Sequence, residues 1–161
     1  MRKRLSPHRP RVVAPLRRVA GLDYDVLGNL LGYGLRRAQV AVFLSFHEAT
    51  RGMDITPPRF TALVMVGANP GMSQSVLAEV LGIARSGAML LTDWFDKRGL
   101  VERRRKPRDA RAWGLYLTGR GTQLVEKMKR RVVEHERRRA ACLSTSERRE
   151  LHRLLAKLAD S

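Results

Sequence analysis

Apolar residues recur at helical spacing along most of this chain and at strand-like spacing in one short region, and the order of these stretches is the first thing that limits its fold. From Tyr24 to about Thr50, residues Leu27, Leu31, Leu35, Val42 and Phe46 fall on one helix face, with Gly52 as a stop. Thr56 has the form of an N-cap with Pro57 at the first helical position, and Ile55 is placed to staple onto Phe60. A second helix is therefore predicted to about Ala68, ended by Asn69-Pro70-Gly71. Ser73 caps a third helix of about two turns, with Met72 placed against Leu77 and Gly82 after its last apolar residue. A fourth begins near Ala84 or Arg85, carries the stripe Ala88, Leu91, Phe95, and runs to Arg98 before Gly99.

The pattern then changes. Leu100 to Arg104 and Ala112 to Leu117 read as strands, and the intervening residues 105–111 are too polar to pack inside, so they are predicted to form a solvated hairpin tip. Thr118 next caps a long amphipathic helix through Leu124, Val125, Met128 and Val132. Ser144 with Glu147 forms a capping box for a last helix carrying Leu151, Leu154, Leu155 and Leu158. A helix pair followed by a two-stranded hairpin is the order of a winged helix-turn-helix, a mainly α fold with a small β wing. Its cationic tip beside the helix pair can grip a duplex, one helix in the major groove and the tip on the neighbouring backbone or minor groove.

Composition sharpens the partner. The 161 residues suffice for one domain, and 32 basic against 15 acidic residues leave a net charge of +17. Such an excess favours a polyanion through counterion release; an anionic membrane is the competing surface. No apolar run approaches the ~20 residues that span a bilayer, and the start lacks a secretory signal, so a cytoplasmic protein without membrane association is expected. The single cysteine, Cys142, excludes an intramolecular disulfide and a multi-thiolate metal site. The histidines at 8, 47, 135 and 152 show no close ligand spacing, so no metal and no cofactor is expected. Residues 67–71 lack the Lys-Ser/Thr ending of a phosphate loop, and neither a nucleophile elbow nor a carboxylate pair with histidine occurs, so no catalytic residues are assigned.

Residues 1–22 hold seven Arg or Lys, no acid, and prolines at 7, 10 and 15. This reads as a flexible basic arm, either a DNA contact or a solubilising tail. Residues 23–161 form the domain, with a DNA-binding lobe over about 56–118 and dimerisation helices over about 23–50 and 118–160. The terminal helices carry more apolar surface than the small lobe can cover. A two-fold dimer would bury it and set two reading heads on successive half-sites; folding back onto a monomer core is the alternative.

These segments resemble the multiple-antibiotic-resistance regulator (MarR) family of bacterial transcription factors. The resemblance is carried by residues 31–38 (LGYGLRRA), 55–60 (ITPPRF), 77–83 (LAEVLGI), 97–104 (KRGLVERR), 107–111 (PRDAR) and Leu117-Thr118, and extends over roughly residues 27–160. It implies a homodimeric repressor of double-stranded DNA, relieved by a small, often aromatic or phenolic ligand bound between the dimerisation and DNA-binding parts. It also implies that Arg111 enters the minor groove and that Asp109 orients the wing. A guanidinium suits a narrow groove of concentrated negative potential. Arg105, Lys106 and Arg108 read as phosphate contacts.

Ser73 and Gln74, at the start of the helix pair, complete the candidate DNA surface together with the reading helix. That helix departs from the family pattern. Beside Arg85 and Ser86 it carries Gly87, Met89 and Leu90, and apolar side chains can touch only thymine methyls, so discrimination is expected to lean on Arg85, the wing and groove shape. Met89 and Leu90 pointing into the core is the alternative. A non-specific nucleoid or RNA-binding basic protein is the alternative function, since charge alone would serve it.

The effector candidates are Tyr33, Arg36, Arg37, Phe43, Phe46, His47, Phe60 and Leu63: aromatics can stack a planar ligand and guanidiniums can clamp an anion, though residues at such spacing also form core. The arginines near the first helix point to an anionic aromatic effector, an aromatic acid or its acyl-coenzyme A thioester. Cys142, in the hinge before the last helix, reads either as buried structural thiol or as redox sensor. If the arm takes phosphates, deleting residues 1–22 will flatten the salt dependence of DNA binding measured by fluorescence anisotropy.

Overall fold

The computed structural model describes residues 16–106 and 109–160, with the backbone alone at 109–111. The predicted first helix is divided: a 3-10 turn at Asp25–Gly28 precedes α1, Leu31–Ala49. Gly28 and Asn29 explain the break, being poor helix formers that take turn geometry readily. Residues 1–15 of the basic arm lie outside the described residues. The following stretch is tied down: Arg37 Nε donates to the Leu16 carbonyl at 3.0 Å, and the Val19 amide donates to Tyr24 Oη at 2.8 Å.

The next three helices, α2 (Pro57–Ala68), α3 (Gln74–Leu81) and α4 (Arg85–Asp96), stand where the pattern put them, α4 ending one turn short of Gly99. Thr56 is extended before α2, but its hydroxyl makes no cap bond. Ser73 does cap α3, its Oγ accepting from the Val76 amide at 3.2 Å. Gly82 takes a left-handed φ of 62°, which lets the Ile83 amide turn back to the Ala78 carbonyl at 3.0 Å and directs the chain into α4.

The wing consists of β1 (Val101–Lys106) and β2 (Asp109–Leu117), antiparallel, with Val101 opposite Leu117, Arg103 opposite Leu115 and Arg105 opposite Trp113. This corrects the expected tip at 105–111. The strands extend through Arg105, Lys106, Asp109 and Arg111, with a register shift between Arg105 and Lys106. Charge does not oppose such a ribbon, because the backbone pairs itself while alternate side chains reach water. At its base, Leu115 makes a third pairing: its amide donates to the Met72 carbonyl at 2.9 Å, and its carbonyl accepts from Gly71 N at 2.8 Å. There the chains approach so closely that a Cβ on Gly114 would lie 2.7 Å from Gly71 Cα.

The core gathers Leu63 and Val66 of α2, Leu77 of α3, Phe95 of α4, Val101 and Leu115 of the wing, and Val125 and Met128 of α5 (Gly119–Arg139). The Thr118 hydroxyl caps α5 by accepting from the Gly121 amide and donates to the Gly99 carbonyl at 2.6 Å. Helix α5 also crosses α1, where Ser45 Oγ lies 2.7 Å from His135 Nδ1 and Glu48 Oε2 lies 3.3 Å from His135 Nε2. After a 3-10 turn at Ala140–Cys142, the predicted capping box opens α6, Thr145–Ala159. The Ser144 amide and hydroxyl, bonded to Glu147, hold that carboxyl below the ordinary range. No residue of α6 is buried, and Leu31, Leu35 and Val42 of α1 are exposed, so the terminal apolar faces stay uncovered in a single chain. Among the described residues no single helix is long and apolar enough to cross a membrane.

A Cβ on Gly121 would fall 1.9 Å from the Leu100 carbonyl oxygen, whereas one on Gly119 would meet nothing within 4 Å. Gly121→Ala is expected to lose about 3 kcal/mol of stability and Gly119→Ala to stay within about 0.5 kcal/mol of the parent, as measured by urea unfolding.

Candidate nucleic-acid interface

Helix α4 presents two faces set by its sequence. Ala88, Thr92 and Phe95 are buried, and Arg85, Ser86, Met89 and Leu90 face solvent, with Leu90 69% exposed and Met89 51%. The helix therefore presents an exposed face with an apolar patch at its centre, and the alternative of Met89 and Leu90 as core does not hold. Gly87 is half-buried against Ile83, its Cβ position 3.6 Å from that side chain. It brings α4 close to the turn and adds no polar group for a base edge.

Ser73 and Gln74 are half-buried at the start of α3. The Ser73 oxygen accepts a cap bond, so its hydroxyl proton is what remains to offer a phosphate.

The wing is held to α4 by a contact that the sequence did not reveal. Arg103 is half-buried, and its Nη2 donates to Thr92 Oγ1 at 2.9 Å and to Asp93 Oδ1 at 2.5 Å. Thr92 Oγ1 in turn donates back into α4, within 3.0 Å of the Ala88 and Met89 carbonyls. Arg103 thus locks the hairpin at one angle to the reading helix. Locally it is one of several consecutive arginines; strand alternation is the only signal that separates its side from that of Arg104.

Arg104 pairs with Glu102, which raises its pKa further, and lies over the Tyr116 ring at 5.4 Å. Arg105 stands 4.5 Å from the centroid of Trp113, a half-exposed indole also missed in the sequence. Lys106, at the end of β1, is half-buried. Arg108 lies outside the described residues, as do the side chains of Asp109 and Arg111, whose backbones belong to β2.

The eight effector candidates do not converge within one chain. Tyr33 groups with Tyr24, ring centroids 6.1 Å apart, and Arg37 lies 5.9 Å from the Tyr33 ring. Phe46 groups instead with Phe60 at 5.6 Å and His47 at 6.2 Å. Thirteen residues of α1 separate Tyr33 from Phe46, about 20 Å along the axis, more than one small aromatic ligand spans. Arg36 and Phe43 are exposed on α1, and Leu63 is completely buried in the core, where it offers no surface to a ligand. Tyr24 and Arg18, whose guanidinium lies 5.3 Å from the Tyr24 ring, were not foreseen. Cys142 is exposed, not a buried structural thiol. Among the described residues, no cluster of His, Cys, Asp and Glu is arranged to hold a metal ion.

Comparison with known proteins agrees with this geometry. The MarR family model matches residues 53–112, from the turn before α2 into the wing. The chain is 32% identical over 141 residues, 87% of this chain and 85% of the relative, to a Thauera aromatica protein described as a transcriptional regulatory protein for the hcr operon. The structure of the transcriptional repressor CouR bound to a 23-mer DNA duplex matches with a TM-score of 0.80 at 37% identity, covering 86% of this chain and 98% of that one. CouR bound to p-coumaroyl-CoA matches with a TM-score of 0.76 at 35% identity, covering 86% and 97%. The PcaV regulator from Streptomyces coelicolor with its natural ligand matches with a TM-score of 0.73 at 26% identity, covering 89% and 99%. With the same helix pair, wing and long terminal helices, this chain belongs to the MarR family of transcriptional regulators.

Proposed function

We propose that this protein is a ligand-responsive repressor that acts in the cytoplasm as a homodimer on a pseudo-palindromic operator. An aromatic, anionic effector, an aromatic acyl-coenzyme A thioester, releases it. The observation that carries the reading is the locked pair of α4 and wing, a rigid two-point grip on a duplex. The likeness to CouR supports it, because that repressor is known both on a DNA duplex and with p-coumaroyl-CoA. The exposed apolar faces of α1 and α6 support assembly through the terminal helices, which leaves residues 56–118 as the DNA-binding lobe.

In this mechanism Arg85 and Ser86 meet base edges or phosphate, Met89 and Leu90 touch thymine methyls, and Arg105, Lys106 and Arg108 take phosphates. Arg111 reaches the minor groove with Asp109 orienting the wing. The effector needs only to bind better to a head spacing that does not fit the operator; the extent of release is bounded by that difference in affinity. The His135 contacts to Ser45 and Glu48 provide a strut between α1 and α5, through which a change at the terminal helices reaches the lobe. Of the eight effector candidates, Tyr33, Arg36 and Arg37 in the first half of α1, Phe43, and the Phe46, His47 and Phe60 group remain the proposed lining. No catalytic step is assigned to any residue.

Binding to the DNA upstream of the protein's own gene should exceed binding to bulk DNA and to RNA by at least a hundredfold at fixed salt; near parity would favour the non-specific alternative. Arg85→Ala should shrink that ratio. Asp93→Ala, which leaves Arg103 held by Thr92 alone and loosens the wing, should weaken operator binding about tenfold, ~1.4 kcal/mol, with little change in melting temperature. Added to the operator complex in a mobility-shift assay, p-coumaroyl-CoA should release DNA at lower concentration than free p-coumarate, and release by neutral or cationic compounds alone would refute the effector assignment.

A further inference from the structure

The two faces of the wing have different surroundings. In an antiparallel pair, residues directly opposite one another share a face, as do residues two apart on one strand. Val101, Arg103 and Arg105 of β1 therefore stand on one side with Leu117, Leu115 and Trp113 of β2. Glu102 and Arg104 stand on the other side with Tyr116 and Gly114.

Along the first side the rungs change from base to tip. Val101 and Leu115 are buried in the core, and Leu117 packs against it. Arg103 reaches α4 through Thr92 and Asp93, so this is the side of the wing that faces α4. The next rung, Arg105 with Trp113, lies two residues further out, about 7 Å along the strand. There the cover ends: Arg105 is exposed, and Trp113 keeps 52% of its surface in water.

An indole is the largest apolar surface a side chain can offer and is well covered in most proteins. Trp94, the other tryptophan of the chain, is half-buried between Arg59 and Arg98, and Tyr116 on the far side of the wing is half-buried against Gly71. Trp113 is exposed, yet its position is set. The Arg105 guanidinium carbon lies 4.5 Å from its ring centroid. The two residues form the last regular rung before the register shift, where Lys106 pairs with Asp109 and β2 carries the extra residues 110–112. Such a bulge bends a ribbon and re-aims the side chains next to it.

We propose that Trp113 is a direct contact to duplex DNA, its indole packed on the deoxyribose wall of the groove that the wing enters, next to the phosphate taken by Arg105. The inference rests on the reading of α4 and the wing as a two-point grip, and it adds an apolar contact to a surface otherwise described by charge. Phosphate and sugar alternate along a DNA strand. A guanidinium stacked on an indole presents a cation and a flat apolar plate side by side, which matches that alternation. The indole displaces no counterion, so its share of the affinity does not fade as salt rises, whereas that of Arg105 does. A cross-strand pair that only stiffens the ribbon is the competing role.

Two duplexes serve as probes: the DNA upstream of the protein's own gene, and a scrambled duplex of equal length and base composition. On both, Trp113→Ala should weaken binding about tenfold with little change in melting temperature and no change in the slope of affinity against salt. Arg105→Gln should lower that slope by about one. Trp113→Phe, which keeps an aromatic plate, should bind better than Trp113→Ala. It also leaves Trp94 as the only indole, so it should lose most of the fluorescence quench that either duplex produces in the parent. Four results would each overturn the contact: parental affinity in Trp113→Ala, a loss matched by a lower melting temperature, a slope that falls as it does in Arg105→Gln, or a quench that persists in Trp113→Phe. Preference of the parent for the upstream DNA tests the repressor reading separately, because the sugar contact is read on either duplex.

Discussion

The Arg103 guanidinium, held between Thr92 and Asp93, is the contact on which the arrangement of the DNA-binding lobe depends. A two-stranded ribbon on its own is marginal and twists freely. Here its angle to α4 is set by a half-buried charged hydrogen bond, which is stronger and more directional than an exposed ion pair. Two backbone contacts set the base: the pairing of Leu115 with Gly71 and Met72, and the seating of Gly121 against Leu100. Each requires a position without a Cβ, so the wing, the helix pair and the start of α5 form one rigid unit.

From that unit outward, charge and apolar surface are divided by task. The exposed face of α4 offers one arginine, one serine and two large apolar side chains, few groups that could hydrogen-bond a base edge. The terminal helices keep leucines exposed in the single chain, a surface that a second copy would remove from water. Between them, α5 contributes Val125 and Met128 to the core of the lobe and reaches His135 against α1, so the same helix carries both parts.

The helices were largely legible in the sequence because capping and periodicity are local. Ser73, Gly82, Thr118 and the Ser144–Glu147 box act within one turn of where they stand. The first helix misled because its apolar spacing continues across Gly28-Asn29, while the backbone there turns. The hairpin tip misled for a different reason: charge marks a segment as solvated, and strands can be solvated too.

Sequence by itself determined the order of elements, the cationic character of the interface and the apolar stripe of α4, since each follows from residue type and spacing along one strand of chain. Only the tertiary structure decided that Arg103 and not its neighbours holds the wing, and that Tyr33 and Phe46 lie too far apart to share one small ligand. Those facts depend on which sides of distant segments meet, and packing sets that through contacts between residues tens of positions apart, where no local pattern reaches.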